Sequence, residues 1–373
     1  MGTIYDYLSW RGDLTFSEAP LNEVDCMIFS MISYLDYQGI VPASHDEAGI
    51  TLRGAAAKVI SRYPDPKKMK LGVLIPKTIG TLFRKLKDTK RFRNVELKAF
   101  VNRIDQEREM QFSALTYLLD NGTAVVTYRG TDDTLVGWKE DMNMSYLPEI
   151  PSQTEAVEYL RRAAVAHSGA LVCTGHSKGG NLAVWAAVKS EKSIRRRIKA
   201  VYSNEGPGFQ RSFLEDAVYL EMRPLIRNLV PQSSVVGMLL EHDDHYTVVK
   251  SRQTGLLQHN GLTWEVMGHS FVHLKKVSGE SRRADRTINQ WIHDMTHEQR
   301  MEFTTAVYQL FSVEGVTTLT DLIAVRKKWL SHSKHLDPKV HETIQKMLTD
   351  LIKLNSKNLI SDFFHKGEAA DKS

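Results

Sequence analysis

A serine set between glycines is the feature of this sequence best suited to do chemistry. Leu171 to Asn181 read LVCTGHSKGGN, an apolar run that breaks at Gly175-His176-Ser177-Lys178-Gly179 and continues with helical spacing. This order is typical of a nucleophile elbow, in which a strained turn between strand and helix raises the serine hydroxyl above the sheet. The glycines leave room for the adjoining strand and helix. We therefore predict Ser177 as a nucleophile; the alternative is a glycine-rich turn with a serine that caps the helix.

A serine hydroxyl is a weak nucleophile near neutral pH, so Ser177 would need a histidine base, an orienting carboxylate and N–H donors for an oxyanion. On this type of sheet the chain order is serine, acid, histidine. The candidate bases after the elbow are His242, His245, His259, His269 and His273. We favour His259, because Gln258-His259-Asn260-Gly261 predicts a loop just before a strand at Trp264, from which a base can be aimed at the elbow.

The acid and the oxyanion donors are less sharply defined. Glu205 stands in the predicted turn Ser203-Asn204-Glu205-Gly206-Pro207-Gly208, either as an orienting carboxylate or as a solvated turn residue. Asp243 and Asp244 are the alternatives. The backbone N–H groups of Lys178 and Thr131 are candidate oxyanion donors, and the Thr131 hydroxyl could add a third.

Bulk properties exclude several classes of protein. The chain has 373 residues, 42% hydrophobic content and a formal charge of +5, with no apolar stretch long enough to span a bilayer. Residues 1–18 lack a secretory core, so we expect a cytoplasmic protein. Cys26 and Cys173 are expected to be buried thiols. No zinc-binding or phosphate-loop spacing occurs, and we expect no cofactor, no metal and no nucleic-acid partner.

A basic segment needs a separate explanation. Lys67 to Arg93 is rich in Lys and Arg and contains Asp88 as its sole acid, with apolar residues interleaved at helical spacing. This predicts an amphipathic, cationic helix or pair of helices. It could be a solvated insertion, a lid over an apolar site, or a surface that contacts anionic membrane.

The order of elements indicates an α/β fold. A helix is predicted over 22–37 and another over 55–61, then strands over 97–104, 111–119 and 124–128, with Asn121-Gly122 as the hairpin turn. Strands at 171–174 and 198–203 then alternate with helices at 155–166 and 181–188, and closing strands are predicted at 225–230, 246–251 and 263–266. This alternation favours a mostly parallel sheet covered on both faces. We predict a core domain at 1–282 with a helical insertion at about 55–94, and a helical C-terminal extension at 283–373 with helices at 320–330 and 338–364 and a disordered tail.

Two levels of family resemblance follow from these motifs. Tyr128-Arg129-Gly130-Thr131, Gly137-Trp138 with Asp141, and the elbow resemble class 3 lipases, which are α/β-hydrolases. More closely, residues 1–270 resemble the bacterial Mbeg-like group, through the segments 7–14, 22–25, 205–209, 230–237 and 258–259. The resemblance implies an α/β-hydrolase fold and a serine hydrolase mechanism, with Ser177, His259 and Glu205 as catalytic residues and Thr131 and Lys178 at the oxyanion.

One departure from the class 3 pattern affects the acid. Those lipases usually carry an aspartate before a Val-Pro pair, whereas Asn228 stands there in this chain. The Mbeg-like group tends to show an acid before Gly-Pro-Gly, where Glu205 stands. We therefore expect a carboxylic ester hydrolase acting on a small or lipid-like ester, with an acyl-enzyme on Ser177. The alternatives are a catalytically inactive hydrolase fold used for binding or membrane association, for which Asn228 is the best support, and an acyltransferase with the same triad.

Overall fold

A mixed sheet forms the centre of the molecule. The computed structural model describes residues 1–69, 71, 75–234, 236–243, 245–279, 294–311, 315–318 and 320–321. In this part of the chain the sheet has the strand order β1-β2-β3-β4-β5-β6-β7-β8-β11. Its strands are β1 (Ile50–Thr51), β2 (Glu96–Asp105), β3 (Met110–Leu118), β4 (Ala124–Tyr128), β5 (Leu171–His176), β6 (Ile198–Asn204), β7 (Ile226–Pro231), β8 (Tyr246–Val249) and β11 (His273–Leu274). Strands β4 to β8 pair in parallel, and the flanking strands pair antiparallel. A small separate sheet pairs β9 (Val266–Met267) with β10 (Ser270–Phe271).

Helices cover both faces of this sheet. They are α1 (Ile4–Arg11), α2 (Glu23–Ile32), α3 (Leu52–Arg62), α4 (Ile79–Leu86), α5 (Leu135–Asn143), α6 (Pro151–Ala166), α7 (Lys178–Lys189), α8 (Lys192–Arg195), α9 (Arg211–Leu214), α10 (Ala217–Met222) and α11 (His297–Phe311). Short 3-10 turns occur at Pro66–Lys68, Arg223–Leu225, Val236–Met238, Gly255–His259 and Gly261–Thr263. No helix in the described ranges has both the length and the apolar character needed to cross a bilayer.

Alternation along the strands divides the core into two layers. Val125 and Val172 pack with α1 to α4 on one face, whereas Val126 and Cys173 pack with α6 and α7 on the other. Successive side chains of a strand point to opposite faces, so a strand that is apolar throughout supplies both layers. Both cysteines are buried free thiols, as predicted.

Most predicted elements are present within a few residues of their expected limits. Gly122 takes a φ of +79° in the hairpin between β3 and β4, a conformation that glycine adopts without strain. The predicted strand at 263–266 is present only in part: Thr263 ends a 3-10 turn, Trp264 forms an isolated antiparallel bridge with Ser251, and Val266 pairs in the small sheet. Trp264 is fully buried, and its indole donates to the Gln258 carbonyl. The last strand at this edge of the main sheet is instead β11, which pairs with β8. Apart from Thr320 and Asp321, the predicted helices at 320–330 and 338–364 and the tail lie outside the described residues.

The basic segment contributes to the core more than its composition indicates. Helix α4 buries its apolar side chains in the layer that contains α2, and residues 70 and 72–74 lie outside the described ranges. Arg91 is fully buried and contacts Asp25 at 2.5 Å, and Asp25 also accepts from the Tyr7 hydroxyl at 2.7 Å. The α2 N-terminus is capped by Asn22. Part of the predicted cationic surface is therefore a structural ion pair, and the membrane contact stays a prediction.

Candidate active site

The elbow is formed where β5 ends and α7 begins. Ser177 lies between them with φ of 58° and ψ of −136°, in a region that L-residues adopt at a cost of about 1–3 kcal/mol. A Cβ on Gly175 would lie 2.0 Å from the Gly179 carbonyl oxygen, and one on Gly179 would lie 2.1 Å from the Tyr128 oxygen. The two glycines are therefore required by the close packing of strand, turn and helix.

A hydrogen bond joins the side chains of His259 and Glu205 beside this turn. The Nδ1 atom of His259 lies 2.9 Å from Oε2 of Glu205, and both side chains are buried. The other carboxylate oxygen, Oε1, accepts a hydrogen bond from the Ser234 hydroxyl at 2.7 Å. Glu205 follows β6 directly and has a φ of 52°, and its N–H donates to the Leu229 carbonyl of β7. The turn holds the carboxylate at the carboxyl edge of the parallel strands, where His259 also lies.

A second histidine fixes the His259 loop to the elbow. The Nε2 atom of His176 lies 2.7 Å from the backbone oxygen of His259, and its Nδ1 lies 3.1 Å from the Tyr34 hydroxyl. Burial lowers the pKa of His176 well below its ordinary value, so the ring is neutral. A carbonyl oxygen only accepts, so Nε2 carries the proton and Nδ1 accepts from Tyr34. His176 therefore positions His259.

The loop after β4 packs against Ser177, since a Cβ on Gly130 would lie 3.0 Å from the Ser177 Cβ. The Thr131 hydroxyl donates to Oδ2 of Asp141 on α5 at 2.6 Å, and Arg129 pairs with Asp132 at 2.9 Å. Burial of the carboxyl raises the pKa of Asp141 from its ordinary value of 3.8 to about 6, although Lys178 opposes this rise. Two side-chain contacts thus fix the shape of the loop.

Lys178 contributes to the site in two ways. It is the first residue of α7, so its N–H has no carbonyl partner within that helix and faces the elbow turn. Its side chain is buried: Nζ donates to Oε2 of Glu140 at 2.8 Å and to the carbonyl and side-chain oxygens of Gln111, both at 2.9 Å. This buried ion pair ties α7 to α5 and β3.

Ser177, His259, Thr131 and Lys178 all line one cavity of about 260 Å³. Its remaining wall is mostly apolar and comes from α5, the turn at Val236–Met238, the start of α11 and the basic segment, including Trp138, Met142, Met144, Leu239, Leu240, Met295, Phe303 and Ile75. Within the segment 67–93, Ile75 is the one described residue that lines this cavity. Among the described residues, α11 contributes Arg300, Phe303 and Thr304 to this cavity, and the lid role of the basic segment stays a prediction.

The other sequence candidates lie elsewhere. Asp243 accepts from the Tyr219 hydroxyl at 2.7 Å, and Asp244 is outside the described residues. His245, His269 and His273 are exposed, and burial lowers the pKa of His242 to about 4. Asn228 lies in β7 between its partner strands β6 and β8. Sequence reasoning did not single out Ser234 or Glu140, whose contacts depend on long-range folding.

One ligand atom from each of His176, Glu205 and His259 lies within 4.8 Å of the others, a spacing compatible with metal binding. These side chains already contact protein groups: His259 Nδ1 faces Glu205, His176 Nε2 faces the His259 carbonyl oxygen, and the Tyr34 and Ser234 hydroxyls contact His176 and Glu205. A cation held by all three side chains would compete with these contacts. The arrangement favours a hydrogen-bonded network of base, acid and positioning residue.

Comparison with known proteins gives a family but no characterised relative. No curated protein matches the sequence. A Rhizomucor miehei lipase in a propeptide complex is 15% identical, with a TM-score of 0.31 over 43% of this chain and 57% of that one; the chain thus spans little more than half of that lipase. A structure titled M37 lipase is 14% identical, with a TM-score of 0.37 over 57% of this chain and 68% of that one. Neither likeness is strong enough to support an argument. The Mbeg1-like family model matches residues 86–309, which contain the elbow, the loop with Thr131, Glu205 and His259, and the chain belongs to the Mbeg1-like family.

Proposed function

We propose that this protein is a serine hydrolase with an α/β-hydrolase-type site, which cleaves a carboxylic ester through an acyl-enzyme on Ser177. The observation that carries the proposal is the 2.9 Å contact between His259 Nδ1 and Glu205 Oε2 at the cavity into which Ser177 is turned by its strained backbone. Asn228 was the best support for an inactive fold; the contact between Glu205 and His259 supports Glu205 as the acid in place of an aspartate at 228.

In the acylation step, His259 takes the proton from the Ser177 hydroxyl as the oxygen attacks the ester carbonyl carbon. The negative charge that develops on the carbonyl oxygen is bound by the backbone N–H groups of Lys178 and Thr131. The imidazolium then gives its proton to the leaving alcohol, and the acyl group stays on Ser177. Water repeats the sequence, with His259 as base, and releases the acid.

Glu205 holds the imidazole during these steps. Its Oε2 accepts from Nδ1–H of His259, so Nε2 is left as the basic nitrogen of the ring, in the cavity that Ser177 also lines. The hydrogen bond from Ser234 and the buried position hold the carboxylate in place. The apolar wall of the cavity indicates an ester with an apolar part, which is buried from water when the ester binds.

The experiment that tests this proposal is labelling of the purified protein with a fluorophosphonate, which reacts with activated serines. We expect mass spectrometry to place the label on Ser177, and labelling to be lost in Ser177→Ala and reduced by orders of magnitude in His259→Ala. Ser212→Ala is a matched control, since Ser212 lines a different cavity. A folded wild type that takes no label, and turns over no ester, would instead indicate a binding module.

A further inference from the structure

One charged side chain in the catalytic cavity is unexplained by the proposed chemistry. Arg300, on α11, lines the cavity beside apolar residues of α5 and α11. One of its terminal nitrogens donates to the Ser145 carbonyl at 2.8 Å, just beyond the end of α5, while Nε is buried without a hydrogen-bond partner in the described chain. Among the described carboxylates, none forms an ion pair with this guanidinium.

The other described charged side chains along the cavity wall each contact a group of the protein. Lys178 is bound to Glu140, and Asp132 is bound to Arg129. Asp141 accepts from Thr131 and lies 3.8 Å from the Lys178 Nζ. Among the described cations of this wall, Arg300 is therefore the one whose guanidinium has N–H donors without a hydrogen-bond partner. A guanidinium carries five N–H donors in a fixed fork, which suits a carboxylate or phosphate oxygen pair.

The position of Arg300 relates it to the reacting carbonyl. Arg300 and Ser177 line the same cavity of about 260 Å³. The Ser145 carbonyl that Arg300 contacts follows the end of α5, the helix whose Asp141 holds the oxyanion loop through Thr131. An anion bound to Arg300 therefore lies in the cavity that would also hold the ester carbonyl.

We infer that Arg300 binds an anionic group of the substrate, so that the preferred ester carries a carboxylate or phosphate on its acyl or alcohol part. This inference rests on the proposed function for the reaction and on the cavity geometry for the binding. A partly desolvated, charge-assisted contact of this kind favours the anionic ester over its neutral counterpart roughly 10- to 100-fold.

The test compares pairs of esters that differ in one charge. Phenyl hydrogen glutarate is matched with phenyl valerate for a charge on the acyl side, and 4-carboxyphenyl butyrate with phenyl butyrate for a charge on the alcohol side. For the wild type we expect kcat/KM to favour the anionic member in at least one pair. Arg300→Met should abolish that preference, Arg300→Lys should retain part of it, and Arg161→Met, an exposed control on α6, should leave it unchanged.

Binding separates this inference from the catalytic proposal. The same pairs are titrated calorimetrically into Ser177→Ala and into Ser177→Ala with Arg300→Met, neither of which needs turnover. Tighter binding of the anionic ester that is lost with Arg300 supports the anion site even if the wild type is not a hydrolase. If the wild type and Arg300→Met both show native circular dichroism and the same ester preference, the inference is overturned. The hydrolase proposal is left standing in that case. A role of Arg300 as a helix anchor alone would change stability without changing the preference.

Discussion

Replacement of Asp141 by asparagine should stabilise the protein at neutral pH and leave it unchanged in acid. Asparagine keeps the shape of the side chain and an oxygen that can accept the 2.6 Å hydrogen bond from Thr131, but it removes the charge. In the native protein the Oδ1 atom is buried with no hydrogen-bond partner in the described ranges. The ionised carboxylate is therefore incompletely compensated, although Lys178 is 3.8 Å away.

The size of the effect follows from the pKa of this carboxyl. Its rise from 3.8 to about 6 corresponds to about 3 kcal/mol at 1.36 kcal/mol per pKa unit. The side chain is 29% exposed, and water screens part of this cost, so we expect about 1–2 kcal/mol. Because the folded pKa lies above the unfolded one, the contribution of the protonated group is complete below about pH 4 and is lost as the pH rises through about 6.

The measurement is urea unfolding of wild type and Asp141→Asn at pH 4 and pH 7.5, at constant ionic strength. The variant should gain about 1–2 kcal/mol in the free energy of unfolding at pH 7.5 relative to its difference at pH 4. Asp13→Asn, at an exposed carboxylate, serves as a control whose effect should not depend on pH in this way. If the asparagine variant is no more stable at pH 7.5 than at pH 4 relative to wild type, burial of the Asp141 charge does not cost what the structure indicates.

Two further substitutions address the positioning of the triad and the stability of the elbow. Glu205→Gln should slow fluorophosphonate labelling by about 10³–10⁴-fold, because an amide no longer stabilises the imidazolium of His259; Asp243→Asn, whose partner is Tyr219, should label at the wild-type rate, and equal rates for both would remove Glu205 from the triad. Lys178→Met should cost about 3–5 kcal/mol in unfolding free energy because it leaves Glu140 buried and charged, and adding Glu140→Gln should restore part of that loss. Additive effects in a double-mutant cycle of urea unfolding would contradict this coupling.

The elbow could be predicted from the sequence because its requirements are local. A Cβ on Gly175 would meet the Gly179 oxygen of the same turn at 2.0 Å, and the strand and helix beside the turn carry their own periodicity. Gly179 is different, because a Cβ there would meet Tyr128 of β4, a contact that only the folded sheet creates. The parallel strands β4 to β7 and the hairpin at Gly122 are likewise defined by apolar runs and turn residues. The family match at 86–309 agrees with the motifs that identify this group.

The sequence did not decide which carboxylate orients His259. A turn that carries a solvated carboxylate and a turn that carries a hydrogen-bonded one have the same sequence pattern. Only the folding of β6 and β7 side by side places Glu205 against His259, which lies 54 positions further along the chain. The same holds for the basic segment, whose Arg91 has a partner at Asp25, and for Arg300, whose place in the cavity depends on how α11 docks beside α5. Local spacing fixes where the serine elbow can stand, since the strained backbone of the turn arises within a few residues. Partner charges and cavity walls are decided by contacts between distant segments, and so by the tertiary structure alone.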